Sequence, residues 1–141
     1  MTVGKACTRI VVTARPEETV QAVAKRMAQY DVGTLVVVDA HKPVGIITDS
    51  DLVLRVMAKE QAPQDLTVRA VMTDNPVCIA EHTALEEAIV LMRGHQVRRL
   101  IVVNEKKELV GVLALDDLLL LLGEEQQAVA GLMRAARSRH E

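Results

Sequence analysis

The sequence is almost without aromatic residues: Tyr30 stands alone, and there is no Phe and no Trp. Its core must therefore be aliphatic, and any ring it binds has to lie between aliphatic side chains. Base stacking on aromatic platforms, the usual grip on single-stranded nucleic acid, is excluded as a main function. Cysteine is scarce as well. Cys7 and Cys78 are the two present, without metal-type spacing, and they read as buried free thiols in a reducing cytosol. The histidines (His41, His82, His95, His140) are scattered, with no two at helical spacing, so no metal site is expected. Neither sign of charge dominates. A net charge of −2 gives the chain no general attraction for nucleic acid or an anionic membrane. Long apolar runs are missing too. Residues 1–10 hold no stretch of signal-peptide length, and the most apolar segment, Leu109 to Leu122, is interrupted by Asp116 and Asp117. That segment is too short to span a bilayer, and a cytoplasmic location is expected.

What is present is an internal repeat. Shifted by 65 residues, Thr2-Val3 and Thr8 fall on Thr67-Val68 and Thr73, and Val36 to Val38 fall on Ile101 to Val103. Val20, Val23, Ala24 and Met27 likewise fall on Leu85, Ala88, Ile89 and Met92. After one inserted residue, Gly45-Ile46-Ile47 falls on Gly111-Val112-Leu113. The chain divides into repeat 1 (1–60), repeat 2 (66–123) and a tail (124–141), joined by a linker from Glu60 to Asp65 that contains Pro63.

Each copy reads as a βαββα unit. The sets 20/23/24/27 and 85/88/89/92 follow i, i+3, i+4, i+7 and predict amphipathic helices, the second started by a Thr83–Glu86 capping box. Leu35 to Asp39 and Leu100 to Asn104 are β-branched runs, hence strands buried on both faces. Polar turns (Ala40 to Pro43, Glu105 to Glu108) lead into returning strands, Val44 to Thr48 and Leu109 to Ala114. Helices over about Asp49–Lys59 and Asp116–Gly123 close the units, and Ile10 to Thr13 and Val77 to Ile79 supply edge strands. The fold class is α+β: two small mixed sheets with helices packed on them, the copies related by a pseudo-twofold axis.

The tail predicts a further helix, Glu-rich at its start and Arg-rich at its end (Arg134, Arg137, Arg139, with His140), as the helix dipole favours. Leu118 to Leu122 are five consecutive leucines. A helix apolar all round has to be covered, either by a second subunit, which is preferred here, or by the tail folding back.

One segment carries chemistry: Gly45-Ile46-Ile47-Thr48-Asp49-Ser50-Asp51-Leu52, where a strand gives way to a helix. Unpaired N–H groups and the dipole suit that end to a phosphate or carboxylate. The Thr48 hydroxyl can add a hydrogen bond, and the Asp51 carboxylate can accept both hydroxyls of a ribose. The competing explanation is structural, since Thr48-x-x-Asp51 is also a capping box.

Two βαββα copies, each with Gly-x-x-x-x-x-Asp leading into its last helix, resemble a tandem pair of CBS domains (the Bateman module) over about residues 2–122. The resemblance implies a regulatory module that binds adenosine-containing ligands (AMP, ADP, ATP, in some members S-adenosylmethionine or dinucleotides) in clefts between the copies. It also implies dimerisation through the helices. It gives Thr48 the hydroxyl role and Asp51 the ribose carboxylate. Asp117 matches Asp51, but Ala114 stands where Thr or Ser is usual, so the second site is degenerate. A basic residue before the first long strand, Arg98 or Arg99, reaches phosphates in nucleotide-binding members; repeat 1 has Gly33-Thr34 there. No catalytic residue, cofactor or metal is expected. The effector would be a protein acting in trans, with adenine nucleotide as regulatory ligand rather than cofactor. The alternative function is a protein-interaction module with vestigial ligand sites.

Overall fold

The computed structural model describes residues 1–140, with side chains through Ser138. Arg139 and His140 of the basic tail, as side chains, and Glu141 lie outside the described residues. In chain order the elements are α1 (Val3–Ala6), β1 (Thr13–Ala14), α2 (Val20–Tyr30), β2 (Thr34–Asp39), β3 (Lys42–Thr48) and α3 (Asp49–Asp51). α3 runs on without a break into a wider-turned segment, Leu52–Met57. There follow α4 (Val68–Val71), β4 (Thr73–Asp74), β5 (Cys78–Ala80), α5 (Leu85–His95), β6 (Arg99–Val103), β7 (Leu109–Ala114) and α6 (Leu115–His140).

Two mixed sheets result, as expected for α+β. One has the order β1-β2-β3-β4, the other β5-β6-β7. β1 runs parallel to β2 and β5 parallel to β6, while the hairpins β2–β3 and β6–β7 are antiparallel. The edge strands sit slightly later than the pattern placed them, at Thr13–Ala14 and Cys78–Ala80. In the first hairpin only Ala40 and His41 form the turn, both at positive φ, so β3 begins at Lys42 rather than Val44.

Alternation along the central strands explains how the copies join. Leu35, Val37 and Ile47 turn to one side, where Val20, Val23 and Met27 of α2 meet them. Leu100, Val102 and Leu113 meet Leu85, Ala88 and Met92 of α5 in the same way. The other side of each sheet carries Val36, or Ile101 and Val103, and these pack together with Val11, Val38, Ile46, Leu109 and Val112 as a third cluster between the sheets. Strands buried on both faces are thus helix-covered on one side and sheet-covered on the other.

The copies are also interlocked, which the pattern did not reveal. α1 leaves repeat 1 and buries Val3 in the core of repeat 2, and Thr8 exchanges two backbone hydrogen bonds of 2.9 Å with Val112. Symmetrically, α4 buries Val68 and Val71 in the core of repeat 1, and Thr73 pairs with Ile46 at the edge of the first sheet. Gly45 and Gly111 are where the exchanged segments cross. A Cβ on Gly45 would meet Met72 Sδ at 2.6 Å and the Thr73 carbonyl oxygen at 2.9 Å.

Three local expectations need correction. α5 is not capped by Thr83: Ala84 is its N-cap and makes no side-chain cap. Instead Leu85 N–H donates to the Met1 carbonyl (3.2 Å) and Val3 N–H to the Thr83 carbonyl (2.9 Å), so the incoming N-terminus occupies that end. Thr19, the repeat-1 counterpart of Ala84, is the residue that caps, accepting from Ala22 N–H at 3.2 Å. Secondly, the tail is no separate helix. α6 is one helix of 26 residues, because Gly123 costs only about 1 kcal/mol of helix propensity and no proline interrupts the run. The tail therefore cannot fold back over the leucines. Thirdly, the thiols are not both buried: Cys7 is half-buried, with its sulfur beside Gly111, but Cys78 is exposed.

Candidate functional site

The expected ligand residues fall at one corner of each sheet. In repeat 1, β2 and β3 pair Thr34 with Thr48, and Asp49 N–H donates to the Gly33 carbonyl at 2.9 Å. In repeat 2, Arg99 pairs with Ala114, and Leu115 N–H donates to the Arg98 carbonyl at 2.8 Å. Gly33 and Thr34 therefore correspond spatially to Arg98 and Arg99, and Thr48 to Ala114. Each corner also receives the chain before its edge strand: Val36 N–H bonds the Val12 carbonyl, and Ile101 N–H bonds the Val77 carbonyl.

Thr48 and Asp51 form the full reciprocal cap. Thr48 N–H donates to Asp51 Oδ2 at 2.9 Å, and Asp51 N–H donates to Thr48 Oγ1 at 3.2 Å. Arg55 approaches the other carboxylate oxygen, Nε to Oδ1 3.5 Å. The cap leaves chemical capacity over. A hydroxyl that accepts from an N–H keeps its own hydrogen to donate, and a carboxylate has about four acceptor positions. A donor for an anionic oxygen and acceptors for a diol thus remain at the helix start. Gly45 has a structural duty: it is buried and lies under Met72 and Thr73.

The second corner is built differently. Asp117 is half-buried, and among the described residues no hydrogen bond or ion pair engages it. Arg98 is exposed and stands 3.5 Å from Asp116, while Arg99 is exposed with no partner among the described residues. The hydroxyl-bearing and arginine-bearing corners belong to different repeats, each at the strand–helix junction of its own sheet.

Other charged residues, absent from the sequence-derived set, lie beside the first edge strand. An open cleft of about 590 Å³ is bounded by Ile10 to Arg15, Glu18, Arg26 and Tyr30. Arg26 Nη2 donates to Glu18 Oε1 at 2.6 Å and Nη1 to Oε2 at 3.0 Å, and Nη1 also reaches the Thr13 carbonyl at 2.9 Å. The Arg26 hydrogen bonds hold the Glu18 carboxyl at about 2 against burial, which opposes them. Helical spacing could not find this pair, because Glu18 precedes α2. The one usable signal was Tyr30, the lone aromatic, at the end of that helix.

After Asp51 the backbone widens. Ala58 N–H bonds the Val53 carbonyl at 2.8 Å, and Gln61 N–H bonds the Val56 carbonyl at 3.0 Å, both five residues back. Such π-turned stretches are rare and concentrate at functional sites. This one holds Val56 in the core while Val53, Leu54 and Met57 stay exposed. Their repeat-2 counterparts include Leu119 and Leu120, also exposed, beside fully buried Leu118. No group of three or more His, Cys, Asp or Glu among the described residues could hold a metal, and no described helix is long and apolar enough to cross a membrane.

Comparison with known proteins agrees with this architecture. The family model for the CBS domain matches twice, at residues 3–58 and 68–124. An uncharacterized protein of Methanopyrus kandleri, MK0525, is 32% identical over 120 residues, which cover 84% of this chain and 61% of that one. The CBS domain-containing protein YhcV of Bacillus subtilis is 39% identical over 108 residues, 77% of this chain and 76% of YhcV. The chain thus spans under two thirds of MK0525 and about three quarters of YhcV. Among solved structures, the CBS domain pair of protein MJ0100, crystallised with 5′-methylthioadenosine and S-adenosyl-L-methionine, has a TM-score of 0.75. It is 23% identical, covering 89% of this chain and 98% of that one, a likeness of fold. With two matched domains spanning most of its length and interlocked through α1 and α4, the chain belongs to the CBS domain family as a tandem pair.

Proposed function

We propose that this CBS pair is a regulatory module that binds an adenosine-containing nucleotide (AMP, ADP or ATP) and passes its presence to a partner protein. The observation that carries this is the spare capacity of the Thr48–Asp51 cap at the first strand–helix corner. The ribose hydroxyls are taken by Asp51 and an anionic oxygen by the Thr48 hydroxyl. At the second corner Asp117 takes the ribose and Arg98 or Arg99 the phosphates, guanidinium being well matched to phosphate oxygens. MJ0100 illustrates that this fold accommodates adenosine compounds. The module has no catalytic step of its own. A homodimer covers Val53, Leu54, Met57, Leu119 and Leu120, which are exposed at equivalent places on the two closing helices. Nucleotide favours one relative orientation of the copies, and the partner reads the helices that move.

A second function, a protein-interaction module with vestigial sites, is favoured by one specific feature: the reciprocal cap already gives Thr48 and Asp51 a structural purpose. Titration calorimetry with AMP, ADP and ATP on the unmodified chain and on Asp51→Asn separates the two. Asn keeps an acceptor for Thr48 N–H but loses the charge and one acceptor. Binding that weakens at least tenfold in the variant supports the sensor. Absence of binding by any of the three nucleotides to the unmodified chain supports the interaction module.

A further inference from the structure

The last half of α6 lies beyond both matched domains, which end at residue 124. Among the described residues, none of α6 after Leu118 joins a buried cluster, and a helix rising about 1.5 Å per residue reaches roughly 30 Å from Leu118 to its end. This arm is not polar all round. Leu122, Val129 and Met133 line up at helical spacing along an open, mostly apolar groove that Glu125, Gln126 and Ala130 also line, and Leu132, 72% exposed, flanks it. In proteins most helical stability comes from packing of an apolar stripe rather than from propensity.

The distribution of charge says what packs there. The arm is acidic at one end, with Glu124 and Glu125, and basic at the other, with Arg134 and Arg137. A second copy laid parallel sets acidic end beside acidic end and basic beside basic. Laid antiparallel, it sets each acidic end beside a basic one and opposes the helix dipoles. The small Ala130, which lines this groove near the midpoint of the arm, lets a second backbone come close.

We infer that the C-terminal arm of α6 is a self-association element that pairs antiparallel with the arm of a second copy of this chain, with its centre near Ala130. The inference does not depend on nucleotide binding.

Distances between nitroxide labels, measured by double electron–electron resonance, test it on the full-length chain with Cys7→Ser and Cys78→Ser. One label is placed at Ala130→Cys and, in a separate protein, at Ser138→Cys. The antiparallel arms give a short distance at residue 130 and one lengthened by about 20 Å at 138, since axial separation grows by two rises per residue from the centre. Val129→Glu with Met133→Glu abolishes the short distance while the far-ultraviolet circular dichroism melt of the body is retained. Equally short distances at both positions mean a parallel pair and overturn the proposal. So does the lack of a short distance at residue 130, and so does a short distance that survives the two glutamates.

Discussion

A Cβ added to Gly111 would stand 2.5 Å from the Thr8 carbonyl oxygen and 2.8 Å from Cys7 Sγ. The oxygen belongs to backbone fixed by two hydrogen bonds to Val112, so it cannot step aside without breaking the link between the repeats. Gly45 bears the same relation to Thr73 and Met72.

Gly111→Ala and Gly45→Ala are therefore expected to destabilise the fold by about 1–3 kcal/mol through overpacking. Gly94→Ala and Gly123→Ala are the controls. Both lie in helices with nothing within 4 Å of the added carbon, and they should stabilise by about 0.4–1 kcal/mol. Urea unfolding of the four variants measures the contrast.

Leu118 and Leu119 are neighbours with opposite fates, 1% and 60% exposed. Leu118→Ala should cost roughly 2–5 kcal/mol by opening a cavity in the repeat-2 core. Leu119→Ala should stay within about 0.5 kcal/mol in dilute protein. A Leu119→Ala loss that grows with protein concentration would report the self-interface proposed for this face.

Glu18 makes stability depend on acid. Its folded-state pKa of about 2 lies below the ordinary 4.5, so its contribution is fully present above about pH 5 and is lost as pH falls through 2. Glu18→Gln should lose about 1.5–3 kcal/mol at pH 7, the range for a hydrogen bond to a charged group. The gap to the unmodified chain should close toward pH 2. A gap that persists at pH 2 would mean that the pair with Arg26 is not its source.

Ala114 tests the degenerate corner in the constructive direction. Ala114→Thr restores a hydroxyl opposite Arg99, and one hydrogen bond to a charged group is worth roughly 1.5–3 kcal/mol. Nucleotide affinity at that site should rise about tenfold to a hundredfold, read by titration calorimetry. An unchanged affinity would detach this corner from phosphate recognition.

Much of this architecture was legible because hydrophobic spacing is local. Val20, Val23 and Met27 announce the buried face of α2, and the 65-residue shift announces the duplication. The exchange of α1 and α4 was not legible, since Val3 and Val68 satisfy the same apolar pattern whether they pack in their own repeat or the other. The signal lay in the recurring strand glycines, Gly45 and Gly111, each beside an element that the repeat shift had already paired as Thr73 and Thr8. The start of α5 was misread because a Thr–Glu spacing cannot reveal that Met1 occupies that end. At the candidate site the spacing gave the Thr48–Asp51 cap, since i to i+3 reciprocity is a property of one helix turn. The Glu18–Arg26 pair joins a loop to a helix and has no such period.

The most direct test of the regulatory function is scanning calorimetry of the chain alone and with each of AMP, ADP and ATP at about a hundredfold excess over its dissociation constant. Binding to the folded state alone then adds about 2.7 kcal/mol, which for a chain of this size raises the unfolding midpoint by roughly 5–10 °C. The account predicts such a rise for at least one nucleotide, sharply reduced in Asp51→Asn. A midpoint unmoved by all three at millimolar concentration would contradict it.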